Sequence, residues 1–245
     1  MSRVSIMGVE FDAISKAEAV ERAMEQIRQK RKGYVVTPNS EIVYMTKDDP
    51  ELIDLLNQAS LVLPDGVGIL HAAKILNKPI YEKVAGVEFA VDLIAEMAKE
   101  HRSLYLLGAK PGVARKAAEN LVKRFPGLKI SGCQDGYFTD EQEVIDRINA
   151  SGHTDVVFVC LGAPKQEQFI RRHLQEIDAT LFCGLGGSLD IYAGTAQRAP
   201  AFYVDHGLEW LYRLKQEPWR AKRMTKLPLF LLCAVKCKIT GKETP

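Results

Sequence analysis

The hydrophobic positions of the chain follow two alternating periods. Short apolar runs of strand length occur at Val4 to Val9, Tyr34 to Thr37, Leu61 to Leu63, Ser103 to Leu107, Leu128 to Ser131, Asp155 to Cys160 and Thr180 to Cys183. Between them lie segments whose apolar residues recur every three or four positions, the spacing of a helix with one buried face. Lys16 to Lys30 is one such segment. Val87, Ala90, Val91, Ile94, Met97 and Ala98 mark a second, and Ala114, Ala117, Leu121, Val122 and Phe125 a third. Asn39 opens a helix through Glu41, Ile42 and Met45, Thr139 with Gln142 has the spacing of a capping box ahead of Val144, Ile145 and Ile148, and a further helix starts at Pro164. Strands separated by helices of this length require a parallel sheet wound on both sides. The expected fold class is therefore α/β: a doubly wound, mainly parallel sheet with helices on both faces, plus a helical C-terminal appendage. The division falls at 1–195 for the α/β domain and 196–245 for the appendage.

In such a sheet the loops that follow the strands gather at one edge, which is where open α/β sheets bind ligands. The run Leu61-Val62-Leu63 stops at Pro64-Asp65-Gly66, and a helical pattern (Val67, Leu70, Ala73) follows, so Asp65 stands at the carboxyl edge of a buried strand. Alone, this pattern also fits a turn residue or the N-cap of the next helix. The company it keeps favours a ligand site. The other strand-end loops carry Thr37-Pro38-Asn39, Gly108-Ala109-Lys110, Gln134-Asp135-Gly136-Tyr137, Gly162-Ala163-Pro164-Lys165-Gln166-Glu167 and Gly184 to Asp190, with Gly186-Gly187-Ser188 in its centre. Loops rich in glycine and small polar residues let backbone N–H groups approach an anion, and Gly184 to Ser188 is a candidate phosphate cradle. Pro164 reads as the first helical residue, with Lys165 and Gln166 in the first turn.

With 245 residues, 47% of them hydrophobic, the chain can bury one substantial core. No basic and apolar leader opens it, and no stretch approaches the roughly 20 apolar residues of a membrane span, so a cytoplasmic protein is expected. The five cysteines, Cys133, Cys160, Cys183, Cys233 and Cys237, include no Cys-x-x-Cys pair and read as small buried hydrophobes. The net charge of +2 conceals an asymmetry: from His206 onward nine Lys or Arg face three Glu, a balance of +6, which leaves −4 for residues 1–205.

Absences narrow the chemistry. G-x-G-x-x-G after the first strand, G-x-x-x-x-G-K-[ST], H-E-x-x-H, G-x-S-x-G and Asp-x-Asp are all missing, and the five histidines are scattered without ligand spacing. Neither a cofactor nor a metal is expected. A departing diphosphate would then need stabilisation from somewhere other than a carboxylate-held metal, and the basic tail offers it. Arg213, Arg220 and Arg223 stand at i, i+7 and i+10, one face of a helix that Pro218 would kink. Leu227 to Val235 is a nine-residue apolar run between Lys226 and Lys236. It fits a helix lying in the interface of an anionic membrane, a helix packed on the core with a solvated basic face, or, with the tail's aromatics, a surface for nucleic acid.

The motifs Val36-Thr37-Pro38-Asn39, Leu63-Pro64-Asp65-Gly66, Val84-Ala85-Gly86, Leu107-Gly108-Ala109-Lys110-Pro111-Gly112, Leu161 to Glu167, Gly186-Gly187-Ser188 and Arg198-Ala199-Pro200 resemble, in order and over nearly the whole chain, the WecG/TagA/CpsF family of bacterial glycosyltransferases. The resemblance is nearest to the TagA-like members of wall teichoic acid synthesis. It implies inverting, metal-independent transfer of N-acetylmannosamine from its UDP donor to the C4 hydroxyl of N-acetylglucosamine on undecaprenyl diphosphate. It also implies that Asp65 is the general base, that Thr37 and Asn39 lie near the reacting sugar, and that Gln166 lies near the donor. Asp135, Gly136, Tyr137 and Asp190 are candidates for uridine contacts, and Gly187 for the diphosphate. Arg213, Arg220 and Arg223 would stabilise the leaving diphosphate as the tail closes over the site and docks on the inner face of the membrane. The resemblance leads us to expect Arg at position 83, where this chain has Lys83, which keeps the charge and loses the planar fork.

Alternatives within the family are a uronic acid of N-acetylmannosamine or glucose as the donor sugar. Outside it stand a sugar-nucleotide epimerase and a noncatalytic module binding membrane or nucleic acid; no nucleic-acid partner is implied by the resemblance. The apolar surface of a detached tail would suit a dimer or trimer.

Overall fold

The computed structural model describes residues 3–205, 207–216 and 225–242. In chain order its elements begin β1 (Val4–Ile6), β2 (Val9–Phe11), α1 (Lys16–Arg28), β3 (Gly33–Val36), α2 (Ser40–Met45), α3 (Pro50–Asn57), β4 (Leu61–Val62), α4 (Val67–Leu76), α5 (Gly86–Lys99) and β5 (Ser103–Gly108). They continue α6 (Val113–Arg124), β6 (Lys129–Gln134), α7 (Glu141–Ala150), β7 (Thr154–Cys160), α8 (Lys165–His173), β8 (Ala179–Gly184), α9 (Ser188–Ala193), α10 (Ala201–Asp205), α11 (Glu209–Gln216) and, last, α12 (Lys226–Thr240). β1 and β2 form an antiparallel hairpin. The remaining strands form one six-stranded sheet in the order β4-β3-β8-β7-β5-β6, with every pairing parallel.

Period-2 alternation divides the strand residues between two cores. Tyr34, Val36, Tyr105, Leu107, Val157, Val159 and Phe182 face one, where α2, α3, α4, α7 and α8 bury Ile42, Leu52, Ile69, Ile145 and Phe169. Val35, Leu104, Leu106, Val156, Phe158, Leu181 and Cys183 face the other, where α1, α5, α6 and α9 bury Met24, Phe89, Leu121 and Leu189. The doubly wound α/β architecture expected from the sequence is the one observed.

Several boundaries differ from the sequence reading, each for a local reason. α7 is capped by Asp140, whose carboxylate accepts the Gln142 N–H at 2.8 Å, and not by Thr139. β6 runs on to Gln134 through Ser131 and Gly132 because it is an edge strand, half-exposed, where polar residues are tolerated. Pro164 is the N-cap of α8 and not its first turn, and the Ala163–Pro164 peptide is cis. α3 has no counterpart in the sequence reading; Asp49 caps it and Pro50 opens it. Of the cysteines, all free, Cys160, Cys183 and Cys237 are buried, whereas Cys133 and Cys233 are only half-buried.

α12 has two apolar faces. Phe230, Ala234 and Cys237 are buried in the core shared with α2 and α4, and Leu227 reaches the backbone of α4 at Gly68, where a Cβ would lie 2.8 Å from its Cδ1. Lys226 pairs with Glu41 in the first turn of α2 at 3.4 Å. On the outer side Leu229, Leu232, Val235 and Ile239 are 41–78% exposed. Among the described residues no helix is long and apolar enough to cross a membrane.

Candidate active site

From β5 the chain crosses through α6 to the outer strand β6, and from β7 it crosses through α8 in the opposite direction to β8. The strand order therefore reverses between β5 and β7, which leaves a crevice outside their carboxyl ends. Its floor is close-packed backbone. Gly108, opposite Cys160 in register, has φ +134°, and a side chain there would run into the Cys160 carbonyl. A Cβ on Gly136 would lie 2.8 Å from Leu161 Cδ2 and 3.3 Å from Gly108 Cα, and the Gly136 N–H donates to the Ala109 carbonyl at 2.9 Å. The loops after β5, β6 and β7 thus converge at the reversal point. Asp135 Oδ1 accepts the Tyr137 N–H at 2.9 Å, a turn that leaves Tyr137 70% exposed. Asp190 stands in the first turn of α9 and accepts the Thr195 hydroxyl on Oδ1 at 3.2 Å; Gly187, exposed, is the N-cap of that helix.

A second group follows β3 and β4. Asn39 caps α2, its Oδ1 accepting the N–H groups of Glu41 at 3.0 Å and Ile42 at 3.1 Å, which leaves the Nδ2 hydrogens as the part a substrate can use. Asp65 is half-buried; its N–H donates to the Pro38 carbonyl at 3.3 Å, and its Oδ2 accepts the Gly86 N–H at 3.4 Å. Thr37 is buried and donates its hydroxyl to the Gly184 carbonyl at 3.3 Å, and its Oγ1 lies 2.9 Å from where a Gly86 Cβ would stand. Gly86, the first residue of α5, therefore touches both Thr37 and Asp65.

Gln166 links the two groups. Buried in the first turn of α8, it accepts the Gly186 N–H on Oε1 at 2.9 Å and donates from Nε2 to Glu167 Oε1 at 2.8 Å. Its amide also fills the space a Gly184 side chain would need, with Nε2 3.1 Å from that Cβ position. Contacts thus run from Asp65 through Gly86, Thr37 and Gly184 to Gln166 and Glu167. Lys83, at the edge of this group, gives its ammonium to Glu209 on α11 at 2.7 Å, both side chains about a quarter exposed. Just ahead of α11, Gly207 abuts Val67 at the start of α4, where a Cβ on the glycine would lie 3.1 Å from Cγ2 of the valine. Arg213 lies on α11, whereas Arg220 and Arg223 fall outside the described residues.

Two polar side chains at this edge, named in the sequence reading only as members of loop motifs and given no role there, each carry a buried oxygen. Glu167 is 1% exposed, and burial pushes its carboxyl up to about 6, against the opposing effect of the Gln166 amide and its own backbone N–H. Among the described residues its Oε2 has no hydrogen-bond partner, and neither has Oε1 of Gln134 at the end of β6. A Glu in the first turn of a helix reads as a capping residue, and nothing in the sequence distinguishes a buried one. Among the described residues no group of three or more His, Cys, Asp or Glu is arranged to hold a metal ion.

A parallel sheet with glycine loops meeting at its reversal point, and a half-buried carboxylate at the same edge, is the framework of an α/β enzyme that binds its ligand across the strand ends. The chain belongs to the glycosyl transferase WecG/TagA/CpsF family, whose sequence profile matches residues 4–244, and it is a glycosyltransferase. It is similar to the N-acetylglucosaminyldiphosphoundecaprenol N-acetyl-beta-D-mannosaminyltransferase of Bacillus spizizenii, at 35% identity over 85% of this chain and 80% of that protein. The protein of the same name from Staphylococcus aureus (strain MW2) is 30% identical over 97% of this chain and 94% of its own length.

Proposed function

We propose that this chain transfers N-acetylmannosamine from UDP-N-acetylmannosamine to the C4 hydroxyl of N-acetylglucosamine carried on undecaprenyl diphosphate, with inversion and without a metal ion, in the synthesis of the wall teichoic acid linkage unit. The names of the relatives support the sugar and the acceptor. The observation that carries the mechanism is Asp65, a half-buried carboxylate at the strand edge beside Thr37 and Asn39. In a single displacement the acceptor hydroxyl attacks the anomeric carbon from the face opposite UDP, Asp65 takes its proton, and the bond to the diphosphate breaks. One displacement inverts the anomeric centre. Asn39 Nδ2 and the Thr37 hydroxyl hold the reacting sugar, and UDP lies over the crevice between β5 and β7, with Asp135, Gly136, Tyr137, Gln166, Gly187 and Asp190 around it.

In this reading residues 1–195 bind the donor and residues 196–245 close the site. Arg213, Arg220, Arg223 and Lys83 supply positive charge to the departing diphosphate, the electrostatic role a metal fills elsewhere. Lys83 would exchange its bond to Glu209 for one to phosphate. The outer face of α12, four exposed apolar residues with Lys236 and Lys238 beside them, rests on the cytoplasmic membrane surface, where the lipid-linked acceptor is presented. The test is a donor panel of UDP-N-acetylmannosamine, its uronic acid and UDP-glucose on a lipid-diphosphate N-acetylglucosamine acceptor, with the product anomer read by NMR. A β-linked disaccharide is expected from the first donor. Turnover only with another donor would contradict the substrate assignment, and a retained anomer the single displacement.

A further inference from the structure

Gln166 can serve the Gly184–Gly187 loop in only one orientation. The Gly186 N–H is a donor, so it must meet Oε1 of the amide, which turns Nε2 the other way. A buried amide NH2 facing an apolar wall would be left without an acceptor, and flipping the amide would not relieve it, because that sets a donor against the Gly186 N–H. What meets Nε2 is Glu167 Oε1 at 2.8 Å. The second carboxylate oxygen has no hydrogen-bond partner among the described residues, so the side-chain hydrogen bond the acid makes there is the one from Gln166.

We propose that Glu167 is a positioning residue: its carboxyl fixes the Gln166 amide, and through it the Gly184–Gly187 loop that receives the donor diphosphate. The inference rests on the donor site proposed above and adds to it a buried residue that never touches substrate. It follows that reach matters at this position and charge does not. A glutamine places an acceptor oxygen at the same distance. An aspartate keeps the charge and withdraws the oxygen by one methylene, which breaks the contact with Nε2.

The experiment compares Glu167→Gln, Glu167→Asp and Glu167→Leu in the full chain by two readouts. One is hydrogen exchange at the Gly186 amide, which needs no activity. The other is the separate determination of kcat and of KM for UDP-N-acetylmannosamine. Glu167→Gln should stay within about twofold of wild type in both. Glu167→Asp and Glu167→Leu should exchange Gly186 faster and raise donor KM about tenfold or more, with a smaller change in kcat. If the leucine variant does not fold, the aspartate variant decides. Wild-type exchange in Glu167→Asp, or a Glu167→Gln variant as impaired as Glu167→Asp, would overturn the proposal. Absence of turnover in the wild type would count against the donor assignment instead, and the exchange comparison would still decide the role of Glu167.

Discussion

The two faces of α12 predict opposite responses to the same kind of substitution. Phe230 is fully buried between α12 and the helices α2 and α4, so Phe230→Ala removes a ring from a packed core and leaves a cavity. Such truncations cost about 3–5 kcal/mol. For a chain of this size each kcal/mol is worth about 2–4 °C, so the melting temperature should fall by about 10 °C. Leu232 sits on the opposite side and is 64% exposed; Leu232→Ala should shift the melt by about 1–2 °C at most. Membrane association should reverse the ranking. If the outer face enters the headgroup region, losing a leucine side chain there costs about 1.5 kcal/mol of partition free energy, a roughly tenfold weaker binding. The assays are a thermal melt by circular dichroism and sedimentation with vesicles containing anionic lipid. Phe230→Ala melting with wild type would refute the packing of α12 on the core, and Leu232→Ala binding vesicles like wild type would refute the orientation.

Other predictions concern the site and its surroundings. Gly86→Ala should lower kcat about 10–100-fold, because a Cβ there would stand 2.9 Å from Thr37 Oγ1 and displace the N–H that Asp65 accepts; unchanged kcat would contradict that linkage. Burial raises the Cys160 thiol to about 12 and the Cys183 thiol higher still, and Cys237 is also buried, so a thiol reagent at pH 8 should modify Cys133 and Cys233 first and reach the other three only on unfolding, as peptide mass mapping would reveal. Glu167 rises from 4.5 to about 6 on folding, so the folded chain holds its proton more tightly and stability is lost as pH climbs through that window. Glu167→Gln removes this loss, and its stability relative to wild type should improve by about 2 kcal/mol between pH 4.5 and 7.5 in denaturant titrations. A relative stability that does not change with pH would mean that Glu167 does not titrate there.

The parallel sheet was legible because every strand but the polar edge strand β6 is a short apolar run closed by Gly or Pro, and the crossovers are helices with one apolar face. The edge that carries Asp65, Thr37 and Asn39 followed from the same punctuation, as did the cap that Asn39 makes. Contacts that depend on three-dimensional neighbours were not legible. Lys83 finds Glu209 across 126 positions, a pairing no local pattern records. Glu167 looks like a solvated capping residue until the packing around α8 buries it. The apolar run Leu227 to Val235 has two apolar faces, since Phe230 and Ala234 turn inward while Leu229, Leu232 and Val235 turn outward, and the sequence marks both alike. α3 is hidden because Pro50 suggests a loop, though proline in the first turn after an Asp cap is a common helix start.

The central claim is that Asp65 removes the acceptor proton in a transfer that needs no metal. Its most direct test is UDP release from UDP-N-acetylmannosamine in EDTA, with and without the lipid-diphosphate N-acetylglucosamine acceptor, for wild type and Asp65→Asn. Acceptor-dependent release should survive EDTA in wild type and fall by about 100-fold or more in Asp65→Asn, with donor affinity retained. Release abolished by EDTA and restored by a divalent cation, or an Asp65→Asn enzyme that turns over at the wild-type rate, would contradict it.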